Sequence, residues 1–299
     1  MSQSINASRR GLLAAAAVAS TLAAVPMAAV PMAASSTPTA VPASRSGPGP
    51  GDGRGHGRGR AALVTGSSRG IGAATARRLA RDGFAVTVNG SRDRASVDAV
   101  VARIEGEGGR AHAVLADVAD PAAVRSLFDA HHAAFGRLDV VVSNAGIMRL
   151  APLRDMSDAD FARMSDVNFK GSFMVMREAA RRVADGGRII ALSSSITRLR
   201  SPTYGPYAAT KAAQEYMASS LAKELQGRGI CVNAIAPGVV DTPLFTGDKS
   251  AQEIAAFVAR TPHGRLGRPE DIADVIAALC SDDGAWINGQ VVFANGGIV

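Results

Sequence analysis

The sequence predicts an α/β fold: a single doubly wound domain with a seven-stranded parallel sheet and helices on both faces. Three observations predict it. From residue 61 onwards, short apolar runs alternate with helix-like stretches of a dozen or more residues, which is typical of parallel strands joined by helices. A glycine-rich stretch follows the first run, where a strand turns into a helix. The chain of 299 residues is long enough for a well-buried core.

The predicted strands are seven apolar runs. In chain order they are AALVTG, FAVTVNG, AHAVLADV, LDVVVSNAG, GRIIALSSS, GICVNAIAPG and GQVVFANGG. Between them lie stretches such as GAATARRLARDG and DPAAVRSLFDAHHAAFG, in which apolar residues recur at helical spacing. Because this alternation runs without a break, we assign residues 61–299 to one domain.

Residues 1–60 differ in composition from the rest. Arg9 and Arg10 precede an Ala-rich apolar run that ends near Ala34, and a Pro/Ser/Gly segment follows. This order resembles a signal peptide, and the paired arginines resemble a twin-arginine export signal. We predict such a signal followed by a disordered linker, with a periplasmic or extracellular protein as the result. The alternative is a cytoplasmic protein with a non-functional extension or a start codon assigned too early.

A permanent membrane span is not expected in this segment, because the apolar run is mostly alanine and contains Pro26 and Pro31. Its arginines explain the overall charge. The chain has a net charge of +7, yet residues 1–60 hold six arginines and one acidic residue, so the remainder has a net charge of only +2. The folded part is nearly neutral, and its charge gives no support to nucleic-acid binding.

Cysteine and histidine usage gives little reason to expect a disulfide or a metal. Cys231 and Cys280 both lie in apolar runs, where a cysteine is usually a small core residue. The five histidines show no metal-ligand spacing with the cysteines. We therefore expect no metal site.

The glycine-rich turn TGSSRGIG follows the first predicted strand and opens the first helix. Glycines at such a turn let the backbone approach a pyrophosphate, and the helix start offers free N–H groups and the positive end of its dipole. The spacing is G-x-x-x-G-x-G, and the same glycines would also serve a plain strand-to-helix turn. We predict a dinucleotide site here, formed by Gly66, Ser68, Arg69, Gly70, Ile71 and Gly72.

The end of the second predicted strand favours NADP over NAD. A site that prefers NAD usually has an acidic residue there, which binds the ribose 2′-hydroxyl. Here Ser91 and Arg92 follow the strand, and Arg69 stands in the glycine-rich turn. Two guanidinium groups and a hydroxyl suit a 2′-phosphate, so we predict NADP(H) as the cofactor. The alternative is two solvated surface arginines.

The stretch SPTYGPYAATKAA contains two tyrosines and one lysine. Tyr207 and Lys211 are four residues apart and therefore share one helix face. Tyr204 precedes Pro206, which marks a helix start, so we place Tyr204 in the preceding loop. An ammonium group one helical turn from a phenol lowers the pKa of that phenol. We expect Tyr207, with a lowered pKa, to be the acid or base.

With these motifs, residues 61–299 resemble the short-chain dehydrogenase/reductase family, in its beta-ketoacyl-carrier-protein-reductase-like branch. TGSSRGIG matches the family's cofactor loop, YAATK its YxxxK motif and PGVVDT its PGxxxT segment. SNAG matches NNAG, with Ser143 in place of the usual asparagine. The motifs occur in the family's order and spacing. The resemblance implies a Rossmann-type fold and a family that is usually tetrameric.

The resemblance also implies four catalytic residues, Asn168, Ser194, Tyr207 and Lys211. Ser194 would bind the substrate carbonyl oxygen and Tyr207 would donate the proton. Lys211 would bind the ribose hydroxyls and lower the pKa of the tyrosine, and Asn168 would hold a water that links Lys211 to solvent. Because serines flank Ser194 on both sides, an assignment wrong by one residue stays open.

Further cofactor contacts follow from the same resemblance. The pair Asp117 and Val118 matches the motif whose carboxylate holds the adenine amino group. Tyr207 and Lys211 also belong to the cofactor site. The remaining implied contacts are Asn144, Ala145, Gly146, Pro237, Gly238, Val240 and Thr242.

We therefore expect an NADP(H)-dependent oxidoreductase that reduces a ketone or oxidises a secondary alcohol, and that assembles as a homotetramer. Two alternatives within the fold are an NAD-dependent alcohol dehydrogenase and a catalytically silent, redox-sensing NADP-binding protein. Nucleic-acid binding through the Gly/Arg tract is a third. We expect the substrate loop to run from residue 241 to about 265. Its apolar lining would include Leu244, Phe245 and Phe257, joined by Met148, Leu150 and Leu199.

Overall fold

A computed structural model describes residues 56–299. The predicted export signal and most of the predicted linker lie outside these residues, so both stay predictions. In the part of the chain that the model describes, no helix combines the length and the apolar character needed to cross a membrane. Cys231 and Cys280 are both free and buried.

The seven predicted strands are all present and form one parallel sheet. Their order across the sheet is β3-β2-β1-β4-β5-β6-β7, which confirms the doubly wound prediction. The strands are β1 Ala61–Val64, β2 Ala85–Gly90, β3 Arg110–Leu115, β4 Val140–Ser143, β5 Arg188–Leu192, β6 Cys231–Pro237 and β7 Val291–Ala294.

The main helices connect successive strands, as parallel pairing requires. They are α1 Gly70–Arg81, α2 Arg94–Gly106, α3 Pro121–Phe135, α4 Asp158–Met164, α5 Ser172–Arg182, α6 Ile196–Leu199, α7 Gly205–Glu224, α8 Pro243–Thr246, α9 Ala251–Ala259 and α10 Pro269–Cys280. A π-helical turn, Ser165–Gly171, joins α4 to α5.

Two hydrophobic cores cover the two faces of the sheet. Successive residues of a strand point to opposite faces, and β1 shows this directly: Val64 packs with α1, α2 and α10, whereas Leu63 packs with α3, α5 and α7. Both strand residues are fully buried. This burial on both sides explains why the strands are continuous apolar runs in the sequence.

The strand order reverses between β1 and β4, because the chain builds the sheet outward in both directions from this pair. The segments that leave the two strands diverge at their carboxyl ends and open a crevice there. Open α/β sheets bind ligands at such a switch point. The glycine-rich turn after β1 and the SNAG segment after β4 both lie at this edge.

Contacts of the domain begin before β1. The Gly57 amide donates to the Asp82 carbonyl oxygen at 2.9 Å, and the Arg60 guanidinium lies 5.1 Å from the centroid of the Phe84 ring. The last residues of the Gly/Arg tract, which the sequence assigns to the linker, therefore pack on the end of α1 and the start of β2.

Candidate active site

A single cleft of about 290 Å³ at the carboxyl edge of the sheet brings together nearly all of the predicted site residues. Asn168 and Arg92 are the two exceptions: Asn168 is buried behind the cleft wall and Arg92 is exposed outside it. The predicted residues that line the cleft are Gly66, Ser68, Arg69, Gly70, Ile71, Gly72, Ser91, Asp117, Val118, Asn144, Ala145, Gly146, Ser194, Tyr207, Lys211, Pro237, Gly238, Val240 and Thr242.

The turn after β1 requires glycine for two different reasons. Gly66 has a φ of +61°, and a Cβ added to it would lie 2.7 Å from the Ala145 Cα atom. A Cβ on Gly72 would lie 2.4 Å from the Gly66 carbonyl oxygen. The Asn144 side-chain amide donates to the carbonyl oxygens of Thr65, at 2.7 Å, and Gly66, at 2.9 Å. The SNAG segment thus fixes the shape of the turn.

Helix α1 begins at Gly70, inside this turn, and its N-terminus lies at the cleft. The preceding residue, Arg69, makes no side-chain capping hydrogen bond to the first turn, and that turn contains no acidic residue. The N–H groups and the positive end of the helix dipole therefore remain available to an anion. With the exposed guanidinium of Arg69 alongside, the turn fits a phosphate group.

The adenosine end depends on a residue that sequence reasoning missed, Asn89. Its Oδ1 accepts from the Gly66 amide at 3.1 Å, and its Nδ2 donates to the carbonyl oxygens of Val114 and Ala116 at 3.2 and 3.1 Å. This one buried side chain ties β2 to both the glycine-rich turn and β3. An asparagine in an apolar strand was the only local signal.

Gly90 follows Asn89 and also lines the cleft. A Cβ there would lie 2.6 Å from Val97 Cγ2 and 3.7 Å from the Ser68 hydroxyl oxygen. The absence of a side chain keeps the space beside Ser68 and Ser91 open. Together with exposed Arg69 and Arg92, this space fits a phosphorylated ribose.

Asp117 is bound on both oxygens. Its Oδ1 accepts from the Ala119 amide at 3.0 Å, and its Oδ2 accepts from Arg163 at 2.8 Å. Burial alone would raise the pKa of Asp117, but these two hydrogen bonds and the nearby charge of Arg92 outweigh it and hold the pKa below its usual value. Arg163 also lines the cleft. Sequence reasoning missed it, since it lies 46 residues from its partner.

The three serines after β5 have different surroundings. The Ser193 hydroxyl donates to Glu215 Oε1 at 2.6 Å, and the Ser195 hydroxyl donates to the Ala236 carbonyl oxygen at 3.0 Å. All three serines line the cleft, but Ser193 and Ser195 are buried with their hydroxyls donated to protein acceptors, whereas Ser194 is only partly buried. The Ser194 hydroxyl accepts from the Ile196 amide at 3.3 Å. The geometry thus favours Ser194 as the serine that faces a substrate.

Helix α7 presents Tyr207 and Lys211 to the cleft on one face, as their spacing predicts. Tyr204 immediately precedes the helix, and Pro206 lies in its first turn. The two tyrosine rings meet edge to face with centroids 6.4 Å apart, and both line the cleft. Lys211 Nζ lies 5.9 Å from the Tyr207 ring centroid and donates to the Leu192 carbonyl oxygen at 2.6 Å.

The expected lowering of the tyrosine pKa is wrong for this structure. Tyr207 is only 7% exposed, and burial raises its pKa to about 12, although a hydrogen bond with Ser194 acts in the opposite direction. Lys211 is 3% exposed, and burial lowers its pKa to about 8. In both cases the main cause is desolvation, which disfavours the charged form of the group. Tyr207 therefore keeps its proton throughout the neutral range.

Asn168 lies in the π-helical turn and is fully buried. Its Oδ1 accepts from the Ile147 amide at 2.8 Å, and its Nδ2 donates to the Ile147 carbonyl oxygen, also at 2.8 Å. Its main-chain oxygen accepts from Gln214 Nε2 at 2.7 Å. In this structure Asn168 thus braces the cleft wall from behind, and its carbonyl already receives a protein hydrogen bond.

The other side of the cleft is apolar. Phe245 and Phe257 meet edge to face with ring centroids 5.3 Å apart, and both line the cleft together with Met148, Leu199 and Leu244. Leu150, which the sequence analysis added to this group, is exposed and does not line the cleft. The elements α8 and α9 supply most of this wall.

Comparison with known proteins agrees with this geometry. A family model described as "Enoyl-(Acyl carrier protein) reductase" matches residues 66–299. A "NADPH-dependent aldehyde reductase-like protein, chloroplastic" from Arabidopsis thaliana is 41% identical over 252 residues, which covers 80% of this chain and 93% of that protein. The chain belongs to the short-chain dehydrogenase/reductase family.

Two further relatives have informative names. A versicolorin reductase from Emericella nidulans is 38% identical over 250 residues, which covers 79% of this chain and 94% of that protein. A short-chain dehydrogenase from Burkholderia cenocepacia, solved in complex with NADP, superposes with a TM-score of 0.77 at 39% identity and covers 81% of this chain and 99% of its own. The family match leaves residues 1–65 outside it.

Proposed function

We propose that this oxidoreductase uses NADP(H) to reduce the carbonyl group of an apolar ketone or aldehyde to an alcohol. One observation carries the proposal: Ser194, Tyr207 and Lys211 face the same cleft as the glycine-rich turn and its arginines. A hydrogen-bond donor, a proton donor and a cation thus stand beside a site that fits a dinucleotide. The names of the Arabidopsis and Burkholderia relatives, which mention NADPH and NADP, support this cofactor.

The residues that would hold the cofactor fall into two groups. Gly66, Gly70 and the start of α1 would receive the pyrophosphate, and Ser68, Ser91 and Arg69 would surround the 2′-phosphate. When bound, NADPH supplies the hydride that the reduction requires. Every other requirement falls on the protein, which must orient the carbonyl and deliver a proton.

Proton delivery follows from burial. A phenol of ordinary pKa, about 10, is already protonated near neutral pH, and burial raises the pKa of Tyr207 further, to about 12. Tyr207 is therefore an acid that holds its proton until charge develops on the carbonyl oxygen. The Ser194 hydroxyl would donate a hydrogen bond to the same oxygen. The phenolate that forms when the proton leaves would be stabilised by the Lys211 ammonium, 5.9 Å from the ring centroid.

The apolar wall sets the class of substrate. The aromatic pair Phe245 and Phe257, with Leu199 and Met148, offers flat and aliphatic surface but few polar groups. An apolar wall selects by burial of apolar area and discriminates weakly between similar shapes. We therefore propose a hydrophobic, ring-containing ketone or aldehyde, and a broad rather than a narrow substrate range.

A panel of ketones, aldehydes and enoyl thioesters, incubated with NADPH or NADH, tests the proposal by the absorbance of the reduced cofactor. Wild type should oxidise NADPH with several apolar carbonyl compounds, more efficiently than NADH. NADPH binding without turnover of any compound would indicate a silent binding protein. A preference for NADH, or turnover of enoyl compounds alone, would also contradict the proposal.

The assembly and location remain proposals as well. We propose a homotetramer, because several large apolar side chains are exposed and could pack between subunits. Three of them, Phe161, Phe169 and Phe173, lie between the start of α4 and α5, and Trp286 lies after α10. Light scattering of the purified protein would test it.

We also propose export through a twin-arginine signal, which lets a protein cross the membrane folded around its cofactor. Cell fractionation with Arg9→Lys and Arg10→Lys, which should trap the protein in the cytoplasm, would test that.

A further inference from the structure

A buried glutamine on α7, Gln214, contacts Asn168 on the side away from the cleft. The proposed reaction gives it no function. It is fully buried and lies one helical turn beyond Lys211, seven residues after Tyr207. These three residues therefore share one face of α7. A fully buried glutamine is uncommon and needs hydrogen-bond partners for its amide.

The partner of Gln214 is the main-chain carbonyl of Asn168, at 2.7 Å. Asn168 sits in the π-helical turn, where the regular hydrogen bonds of an α-helix are shifted and carbonyl oxygens need other donors. The Gln214 amide supplies such a donor from the neighbouring helix. Thr210 adds a second link, since its hydroxyl accepts from Asn168 Nδ2 at 3.2 Å.

Asn168 connects the hydrogen bond of Gln214 to the wall of the cleft. Its side-chain amide makes two hydrogen bonds to the backbone of Ile147, both at 2.8 Å. Gly146, the preceding residue, lines the cleft. A Cβ added to Gly146 would lie 3.4 Å from both Asn168 Oδ1 and Lys211 Nζ. The wall at Gly146 and Ile147 therefore lies directly beside the lysine.

We infer that Gln214 is a positioning residue for the reductase site: through Asn168 it fixes the Gly146–Ile147 wall relative to Tyr207 and Lys211 on α7. The inference rests on the proposed function. It also explains why a polar side chain is buried at position 214 of α7, although the next buried positions on the same helix face are the alanines Ala218 and Ala222.

Gln214→Met tests this, because methionine keeps the unbranched shape but cannot donate to the carbonyl. We expect kcat to fall about tenfold while the dissociation constant for NADPH changes less than about twofold, since the loss of one buried donor misplaces the wall rather than removing a cofactor contact. Gln226→Met is the matched control, because Gln226 is exposed just after α7, and it should behave as wild type.

Hydrogen exchange in the cofactor-free protein gives a second readout that does not depend on turnover. The Ile147 amide donates to Asn168, so its exchange should become at least about tenfold faster in Gln214→Met, while amides of β4 and β5 keep their wild-type rates. Equal acceleration everywhere would mean global destabilisation and would contradict a positioning role. Gln214→Leu, which also has no donor, should give the same pattern should the methionine variant fail to fold.

Wild type and Tyr207→Phe measured in parallel separate the two claims. Turnover by wild type that is lost in Tyr207→Phe, with unchanged kcat and unchanged Ile147 exchange in Gln214→Met, would overturn the inference alone. Absence of wild-type turnover would overturn the proposed function, and the Ile147 exchange rate would still decide whether Gln214 holds the wall.

Discussion

The two ends of the cleft are built in opposite ways. At the catalytic end, Tyr207 and Lys211 are buried, and Asn168 behind them is fully enclosed. At the adenosine end, Arg69, Ser91 and Arg92 are all exposed. The same fold therefore shields its proton donor from water and leaves its anion-binding groups exposed to water.

The difference follows from what each end must do. A proton donor depends on its pKa, and burial is the strongest means by which a protein changes a pKa. A phosphate-binding arginine is charged at every accessible pH, so burial would only add a desolvation cost. We conclude that the catalytic end is sensitive to small changes in packing, whereas the adenosine end is sensitive to charge and ionic strength.

The largest effect is expected from Tyr207→Phe. The change removes only the proton donor, so kcat should fall by about 100-fold to 10,000-fold, while the dissociation constant for NADPH stays nearly constant. Tyr204→Phe is the matched control, since it alters the neighbouring ring and should change kcat by less than about threefold. Steady-state kinetics and a binding titration measure both. Reversed effects would exchange the roles of the two tyrosines.

At the adenosine end, Arg69→Ala should weaken NADPH binding by about 10-fold to 100-fold and NADH binding much less, because only NADPH has the 2′-phosphate. Arg92→Ala should have a smaller effect in the same direction, since Arg92 lies outside the cleft. Titrations at two salt concentrations measure this, and the NADPH preference should shrink as salt increases. Equal losses for both cofactors would show that these arginines do not contact the 2′-phosphate.

The pH dependence of kcat/KM for reduction tests whether the positive charge of Lys211 assists at the catalytic end. Lys211 is cationic below its pKa of about 8, and Tyr207 keeps its proton beyond that pH. Rising pH therefore removes the ammonium that stabilises the phenolate, and kcat/KM should be about tenfold lower at pH 9 than at pH 7. Thermal unfolding over the same range controls for stability. A flat profile to pH 10 would show that the charge of Lys211 does not assist.

The smallest effect is expected from Arg163→Met. Arg163 is an exposed residue that binds Asp117, and such ion pairs contribute little. Both dissociation constants should rise by about the same factor, at most about fivefold, because the adenine is common to NADPH and NADH. A change in the ratio of the two constants would place Arg163 at the 2′-phosphate instead of the adenine.

Local sequence patterns predicted the fold and much of the site. Alternating apolar runs gave seven strands because a parallel sheet buries both faces, and the four-residue spacing placed Tyr207 and Lys211 on one face of α7. The contacts of Asn89, Arg163 and Gln214 had no such pattern, since each binds a partner at least 23 residues away. The pKa of Tyr207 also escaped prediction, because spacing shows which charges are near but not how much water is excluded.

The central claim of this account is that burial, and not the neighbouring lysine, sets the protonation state of the catalytic phenol. An NMR titration of ring-labelled tyrosine tests it most directly, since the chain has only three tyrosines and Tyr207→Phe assigns the signal. The account predicts that Tyr207 in the cofactor-free protein stays protonated past pH 10 and titrates near its raised pKa of about 12. A midpoint below the ordinary value, about pH 10, would contradict it and would show that Lys211 lowers the pKa of Tyr207.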